Sequence, residues 1–303
     1  MSSMSNTIIA NAARVVQTTR ICQLSTCILI IYDHLLTFDQ EIEYIWKAPW
    51  SLPTVLYVIV RYLGGGLGML DAGVFVSQSS SQQVRSFPCL CSNESNIVYS
   101  CQTFFFLQGW PGFLIDWLMQ IILQLRIYAI YDRSKMILAA TGVGYVAEII
   151  SVSTILAIAN ENAPITNEPI PGIHICSVLN FPSSFLDIWF PIIAFEGLLC
   201  VLAIWAGIME LTARSRLQGV SSVSVVDVIV RGNLFYFFCL LSVCVVNAAM
   251  WQTLGDSWME VPEGFTIAIK VVFGCRLILN LPKTFAPLNP SIAGYVSTDI
   301  SPH

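Results

Sequence analysis

Long apolar runs alternate with short polar stretches along the chain, and seven of these runs reach the roughly 20 residues that a helix needs to cross a hydrocarbon core. They cover 17–38, 52–76, 103–129, 136–158, 185–209, 230–252 and 261–281. The third to sixth are the clearest. The first includes Arg20, Asp33 and His34 and the seventh Lys270 and Arg276, so hydropathy alone marks these two weakly, and dropping both would leave five spans. The pattern predicts an all-α protein: an integral membrane bundle of seven transmembrane helices with its N-terminus outside. Residues 1–303 form a single transmembrane domain, with a short cytoplasmic tail at 282–303. No cleavable leader is expected before the first span, because the opening residues lack the basic, apolar and small-residue order of one.

Between the spans, Ile42, Ile45, Trp46 and Pro49 follow the first run at helical spacing, with Glu43, Tyr44 and Lys47 among them. They predict a short amphipathic segment lying on the inner membrane surface, anchored by Trp46 and Trp50. It is also a surface on which a cytoplasmic partner would dock.

Composition agrees with the pattern. Of 303 residues 55% are hydrophobic and only 11% charged, against about a quarter charged in soluble domains, and the mean hydropathy is +0.71. The net charge of -5 identifies no partner, since charges in a membrane protein matter by side. Counted that way, Lys47, Arg126, Arg133, Lys135, Arg214, Arg216, Arg231, Arg276 and Lys283 fall inside, while Arg14, Arg20 and Arg85 fall outside. That excess has the sign the cytoplasmic side requires. Asn93-Glu94-Ser95 is a glycosylation sequon in a loop placed outside, which makes Asn93 the candidate glycosylation site. Cys89, Cys91, Cys101 and Cys176, four of the ten cysteines, lie in or beside outer loops, where disulfides persist. Four cysteines allow three connectivities.

Ionisable groups inside a membrane are costly and face the bundle interior with partners. Asp33, about 8 Å from the inner side, and Arg61, about 15 Å from it, are at depths that permit an ion pair. A second group is an intramembrane polar cluster of Asp116, Glu148, Glu196 and Lys270. Lys270, Glu196 and Glu148 fall at roughly 13 to 17 Å from the outer ends and meet at one level, whereas Asp116 falls nearer about 20 Å. A lysine in a last helix is also the nucleophile a retinal aldehyde would need, but one lysine carries almost no specificity, and no cofactor is expected.

Catalytic signals are nearly absent. The three histidines, His34, His174 and His303, lack the spacing of a zinc site, so no metal is expected. There is no Gly-x-Ser-x-Gly elbow and no phosphate loop. Gly64-Gly65-Gly66 falls inside the second span, where small residues allow close helix packing. No basic stripe suits nucleic acid.

The segment Tyr32-Asp33-His34-Leu35-Leu36-Thr37-Phe38-Asp39-Gln40-Glu41, followed by Ile45-Trp46-Lys47, Trp50-Ser51 and Val60-Arg61-Tyr62, resembles the N-terminal domain of a basidiomycete family of multi-pass membrane proteins of unassigned function. The signature region spans 26–66. Leu125-Arg126-Ile127-Tyr128-Ala129-Ile130-Tyr131 and Arg276-Leu277-Ile278-Leu279-Asn280-Leu281 extend the similarity. Arg231-Gly232 departs from the Arg-Asp pair that such proteins often show before the sixth helix. The resemblance implies a seven-helix membrane protein and no established ligand or reaction. Cys101 and Cys176 occupy positions bridged in many seven-helix receptors, and that likeness implies a disulfide between them. Arg126 near Tyr128 resembles the helix-three arginine of rhodopsin-like receptors only loosely, and Asn280-Leu281-Pro282 lacks their helix-seven motif.

Helices one to three and five to seven share no motif, which counts against a duplicated transporter. The expected protein is therefore a non-enzymatic, receptor-like seven-helix bundle engaged in sensing or signalling. Its partners are the lipid bilayer, a small-molecule ligand and a cytoplasmic protein at the inner loops, and its place is the plasma membrane or another secretory-pathway membrane. The alternative is a small-solute or proton-coupled transporter using Glu148, Glu196 and Lys270. An intramembrane enzyme comes third.

Overall fold

A computed structural model describes residues 2–77, 94–162, 165–166, 177–178, 183–218, 234–254 and 258–279. Among them the chain is almost wholly helical. The helices are α1 (Ser2–Glu41), α2 (Leu52–Val58), α3 (Gly64–Ser77), α4 (Glu94–Ile130), α5 (Lys135–Asn162), α6 (Ser183–Leu186), α7 (Trp189–Gln218), α8 (Leu234–Leu254) and α9 (Glu260–Leu279). A two-residue antiparallel ladder pairs β1 (Ile165–Thr166) with β2 (Ser177–Val178). A π-helical turn at Ile59–Leu63 joins α2 to α3, so these two make one span.

Six helical stretches are long and apolar enough to cross a membrane: Ala13–Trp46, Leu52–Phe75, Phe106–Ile130, Lys135–Glu161, Trp189–Met209 and Leu234–Leu254. The protein is a multi-pass membrane protein on that ground. The remaining long helix, α9, has 20 residues but carries Glu260, Glu263, Lys270 and Arg276. Polarity is distributed as a lipid solvent demands. Ile28, Leu35, Met136, Val143, Val201 and Phe238 point outward, while Asp33, Arg61, Asp71, Asp116, Glu148, Glu196 and Lys270 are buried.

We call the end of the bundle where α1 begins the first face and the opposite end the second face. Helix α4 is central, packing on α3, α5, α7 and α9, while α1 lies between α3 and α9 and so brings the first and last helices together. Close approach relies on small residues: an added Cβ at Gly64 would collide with Val271, and one at Gly274 with Met119. Near the first face Trp251 stacks on Phe185 at 5.3 Å and meets Trp189 edge-on at 5.2 Å, tying α6, α7 and α8. Helix α4 ends because Asp132 and Arg133 adopt left-handed φ values of 50° and 59°. The Arg133 N–H then donates to Tyr128 O at 2.9 Å, and the Ser134 N–H to Tyr131 O at 3.1 Å, satisfying carbonyls that a helix end leaves open.

The amphipathic segment expected after the first span starts as a continuation of α1, with Ile42, Trp46 and Trp50 exposed. Ile42–Trp46 continues α1 as a π-helical turn with Ile45 buried, because the preceding Glu41 is tied inward to the α2–α3 span. The chain leaves the helix only at Lys47. The expected site Asn93 and Cys176 lie outside the described residues, as do Cys89, Cys91, the side chain of Cys101 and the tail at 282–303.

Candidate functional site

Polar side chains occupy three levels of the bundle interior. At the middle, Lys270 on α9 forms an ion pair with Asp116 on α4, and both side chains are buried. One turn below Asp116, Gln120 Nε2 donates to Glu148 Oε1 at 2.7 Å. Glu196 on α7 is buried within electrostatic reach of Asp116, Lys270 and Gln120, and Glu148 feels Asp116, Glu196 and Lys270. The four residues of the expected cluster are thus brought together. Depth counting leaves Asp116 nearer about 20 Å, away from the level of Glu148, Glu196 and Lys270, yet Asp116 is the direct partner of Lys270. The central position of α4 brings it against α9, and the long lysine stem spans the offset. Besides Asp116 Oδ1, which faces Lys270, the acceptors Glu148 Oε2, Glu196 Oε2 and Gln120 Oε1 have no hydrogen-bond donor among the described residues.

Toward the first face, α9 begins with Glu260 and Glu263. Gln108 Nε2 donates to Glu260 Oε2 at 2.8 Å and Gln23 Nε2 to the Glu260 carbonyl at 2.8 Å. Asn247 Nδ2 donates to Thr266 Oγ1 at 2.7 Å and to Glu263 Oε2 at 3.3 Å. Asp71 on α3 is buried within reach of both glutamates. Acidic residues suit the first turn of a helix, where unsatisfied N–H groups concentrate positive potential.

At the second face the charges balance. Asp33 on α1 accepts from two arginines: Arg61 Nη1 to Oδ2 at 2.8 Å and Arg276 Nε to Oδ1 at 2.8 Å. Arg61 is itself buried, with Nη2 donating to Thr37 Oγ1 at 2.5 Å and Nε 3.7 Å from Glu41 Oε2, over the Tyr57 ring. Glu41 accepts further bonds from Tyr57 OH at 3.0 Å, Tyr62 OH at 2.6 Å and Trp46 Nε1 at 3.1 Å, and His34 Nε2 lies 3.5 Å away. Two carboxylates facing two guanidiniums, with hydroxyl and indole donors around them, pair the buried charge as a low-dielectric interior demands, although Arg61 Nε itself has no hydrogen-bond acceptor among the described residues. Apart from Arg276 and the distant α4 contact below, every member of this network comes from a short stretch of the chain.

Residues 21–64 match DUF6533, a family of unknown function.

No curated protein and no solved structure matches the chain. The DUF6533 segment contains Asp33, Thr37, Glu41, Tyr57, Arg61 and Tyr62, which build most of the second-face network. The segment is completed from outside by Arg276, and by α9 packing on α1 and α3. Beside it, Arg126 at the end of α4 donates an Nη2 hydrogen bond to the Leu277 carbonyl, which fixes a second point on the last turn of α9. The sequence pairs Asp33 with Arg61 and shows Glu41, Tyr62 and Arg276 only as parts of a pattern without contacts, while Tyr57 is not singled out. Asp71, Glu260, Glu263, Gln23 and Asn247 were missed. Asp71 gave a signal, being a carboxyl within an apolar run.

Among the described residues no three His, Cys, Asp or Glu side chains converge to hold a metal ion.

Proposed function

We propose that the protein is a non-enzymatic, receptor-like sensor of seven spans, with α9 as the seventh and the first face outside. A small ligand enters the middle cluster and shifts α9, and that movement reaches a cytoplasmic partner at the second face. The observation that carries this reading is that one helix serves both levels. Lys270 of α9 pairs with Asp116 in the middle, and Arg276 of α9 pairs with Asp33 at the second face, about 9 Å further along the axis at 1.5 Å per residue. A ligand that competes for Asp116 acts on the helix that holds the balanced network. The open atoms of the middle cluster are all acceptors, so the ligand class is a small protonated amine.

The orientation is supported by Lys47, Arg61, Arg126, Arg133, Lys135 and Arg276, which lie in the second-face half, against Arg14 and Arg20 in the other. The expected residence is the plasma membrane or another secretory-pathway membrane. A second reading, small-solute or proton-coupled transport, is favoured by the row of carboxyls from Asp71 through Glu260 and Glu263 to Glu196.

The test uses purified protein in nanodiscs and in sealed vesicles. Small protonated amines should raise the unfolding temperature of the wild type, and neutral isosteres should not. Glu196→Gln should abolish the gain. Amine or proton uptake into vesicles that disappears with the same substitution would overturn sensing in favour of transport. Glycosidase and impermeant thiol labelling of oriented membranes tests the outside N-terminus.

A further inference from the structure

Charge is balanced at the second face and unbalanced at the first. Asp71, Glu260 and Glu263 lie together near the first face, and among the described residues none of them forms an ion pair. Of the two basic residues of α1 in this half, Arg14 is exposed and Arg20 donates its Nε to the Phe75 carbonyl at 2.9 Å. The potential at the start of α9 accounts for Glu260 and Glu263. It does not serve Asp71, which belongs to α3 and is 1% exposed.

The neutral side chains around these acids show what is missing. Gln23 and Asn247 are each 1% exposed and use their amide N–H groups on α9: Gln23 on the Glu260 carbonyl, Asn247 on Thr266 and Glu263. Among the described residues their carbonyl oxygens, Gln23 Oε1 and Asn247 Oδ1, have no donor, and neither does Asp71 Oδ1. Gln23 Oε1 lies over Gly264, where an added Cβ would meet it at 2.5 Å, so the amide is seated against the second turn of α9 rather than swung toward lipid. Three helices therefore each present an unpartnered, fully buried acceptor to one end of α9. Buried acceptors left open are destabilising, and buried carboxylates without a counter-charge more so. A set that only accepts calls for a positive ligand.

We propose that Asp71, Glu263, Gln23 and Asn247 form a site for a monovalent inorganic cation that joins α1, α3 and α8 to the first turns of α9. Among the described residues no three acidic side chains are close enough together to hold a metal ion between them, whereas a divalent ion requires several charged ligands. A sodium or potassium ion accepts a mixture of one or two carboxylates with amide oxygens. This site is separate from the amine-binding reading of the middle cluster, and either can fail without the other.

The experiment is thermal unfolding of the full chain in nanodiscs, followed by tryptophan fluorescence. Sodium, potassium and choline chlorides are compared at constant ionic strength and at two pH values. Sodium or potassium should raise the unfolding temperature saturably over choline, by about 5 °C at an ion concentration roughly one hundred times the dissociation constant. Asp71→Asn and Asn247→Leu should each remove that increment. Equal unfolding temperatures in all three salts would overturn the proposal, as would a response to pH alone, which would show protonated carboxyls in place of an ion. Full retention of the cation response in both variants would also overturn it. The wild-type titration decides the matter even where one variant does not fold.

Discussion

Asp33 on the first helix accepts from Arg276 on the last across 243 residues of sequence, at 2.8 Å, while its second oxygen holds Arg61 at the same distance. The two arginines differ in surroundings. Arg61 is buried and the Arg276 side chain is 45% exposed. Removing the carboxylate strands a buried guanidinium, which costs about 3–5 kcal/mol in measured cases, whereas a half-exposed ion pair contributes about 0–1 kcal/mol. Asp33→Asn should therefore destabilise far more than Arg276→Ala. Equilibrium unfolding in mixed micelles measures both, and equal losses would contradict the assignment of Arg61 as the dominant partner.

Glu41 collects bonds from Tyr57, Tyr62 and Trp46 beside the Arg61 guanidinium. Hydrogen bonds to a charged acceptor contribute about 1.5–3 kcal/mol each. Tyr62→Phe should cost an amount in that range or below it, because Tyr62 is partly exposed. Glu41→Ala should cost more than Tyr57→Phe or Tyr62→Phe, since it leaves several donors and part of Arg61 without an acceptor. Unfolding of the three variants side by side gives the order, and a Glu41→Ala variant as stable as Tyr62→Phe would mean that water replaces the carboxylate.

Gly64 permits α3 to lie against α9, and the atom an added Cβ would meet is Val271. Gly64→Ala should destabilise by about 1–3 kcal/mol through overpacking, and Val271→Ala in the same chain should recover part of the loss. The double-mutant cycle reads the coupling. Additive losses would place the clash elsewhere.

Much of the bundle was legible because a bilayer asks for simple things, length and apolarity, and the runs supplied both. The helix limits moved chiefly where polar side chains find partners. Glu41 reads as a loop residue on hydropathy, yet its bonds to Tyr57 and Tyr62 extend α1 and draw Ile42–Trp46 into a π-helical turn. The Asp33–Arg61 contact was readable because both lie on neighbouring spans at comparable depth. Arg276 was not, since a basic residue at a helix end has an ordinary explanation in membrane orientation. Gln23 and Asn247 were silent for a related reason: single amides in apolar runs carry no charge to attract notice, and only the packing of α1 and α8 on α9 reveals which of their atoms are left open.

The middle ion pair offers the sharpest separation between a charge kept for stability and one kept for a task. Lys270 and Asp116 are both buried and face each other from α9 and α4. Lys270→Met alone leaves Asp116 without its partner and adds to the carboxyls already present on Glu148 and Glu196. Breaking a buried pair in this way costs about 3–5 kcal/mol. Adding Asp116→Asn to Lys270→Met removes the stranded charge, and replacing a whole buried pair by neutral groups is often neutral or stabilising. The double variant should recover most of the stability lost by Lys270→Met while losing any response to protonated amines, because the remaining open acceptors no longer compete for a movable lysine. Unfolding and amine titration on the same preparations measure the two properties together. A double variant that regains stability and keeps its amine response would reduce Lys270–Asp116 to a packing device, and the ligand would then have to be held by Glu148 and Glu196 alone.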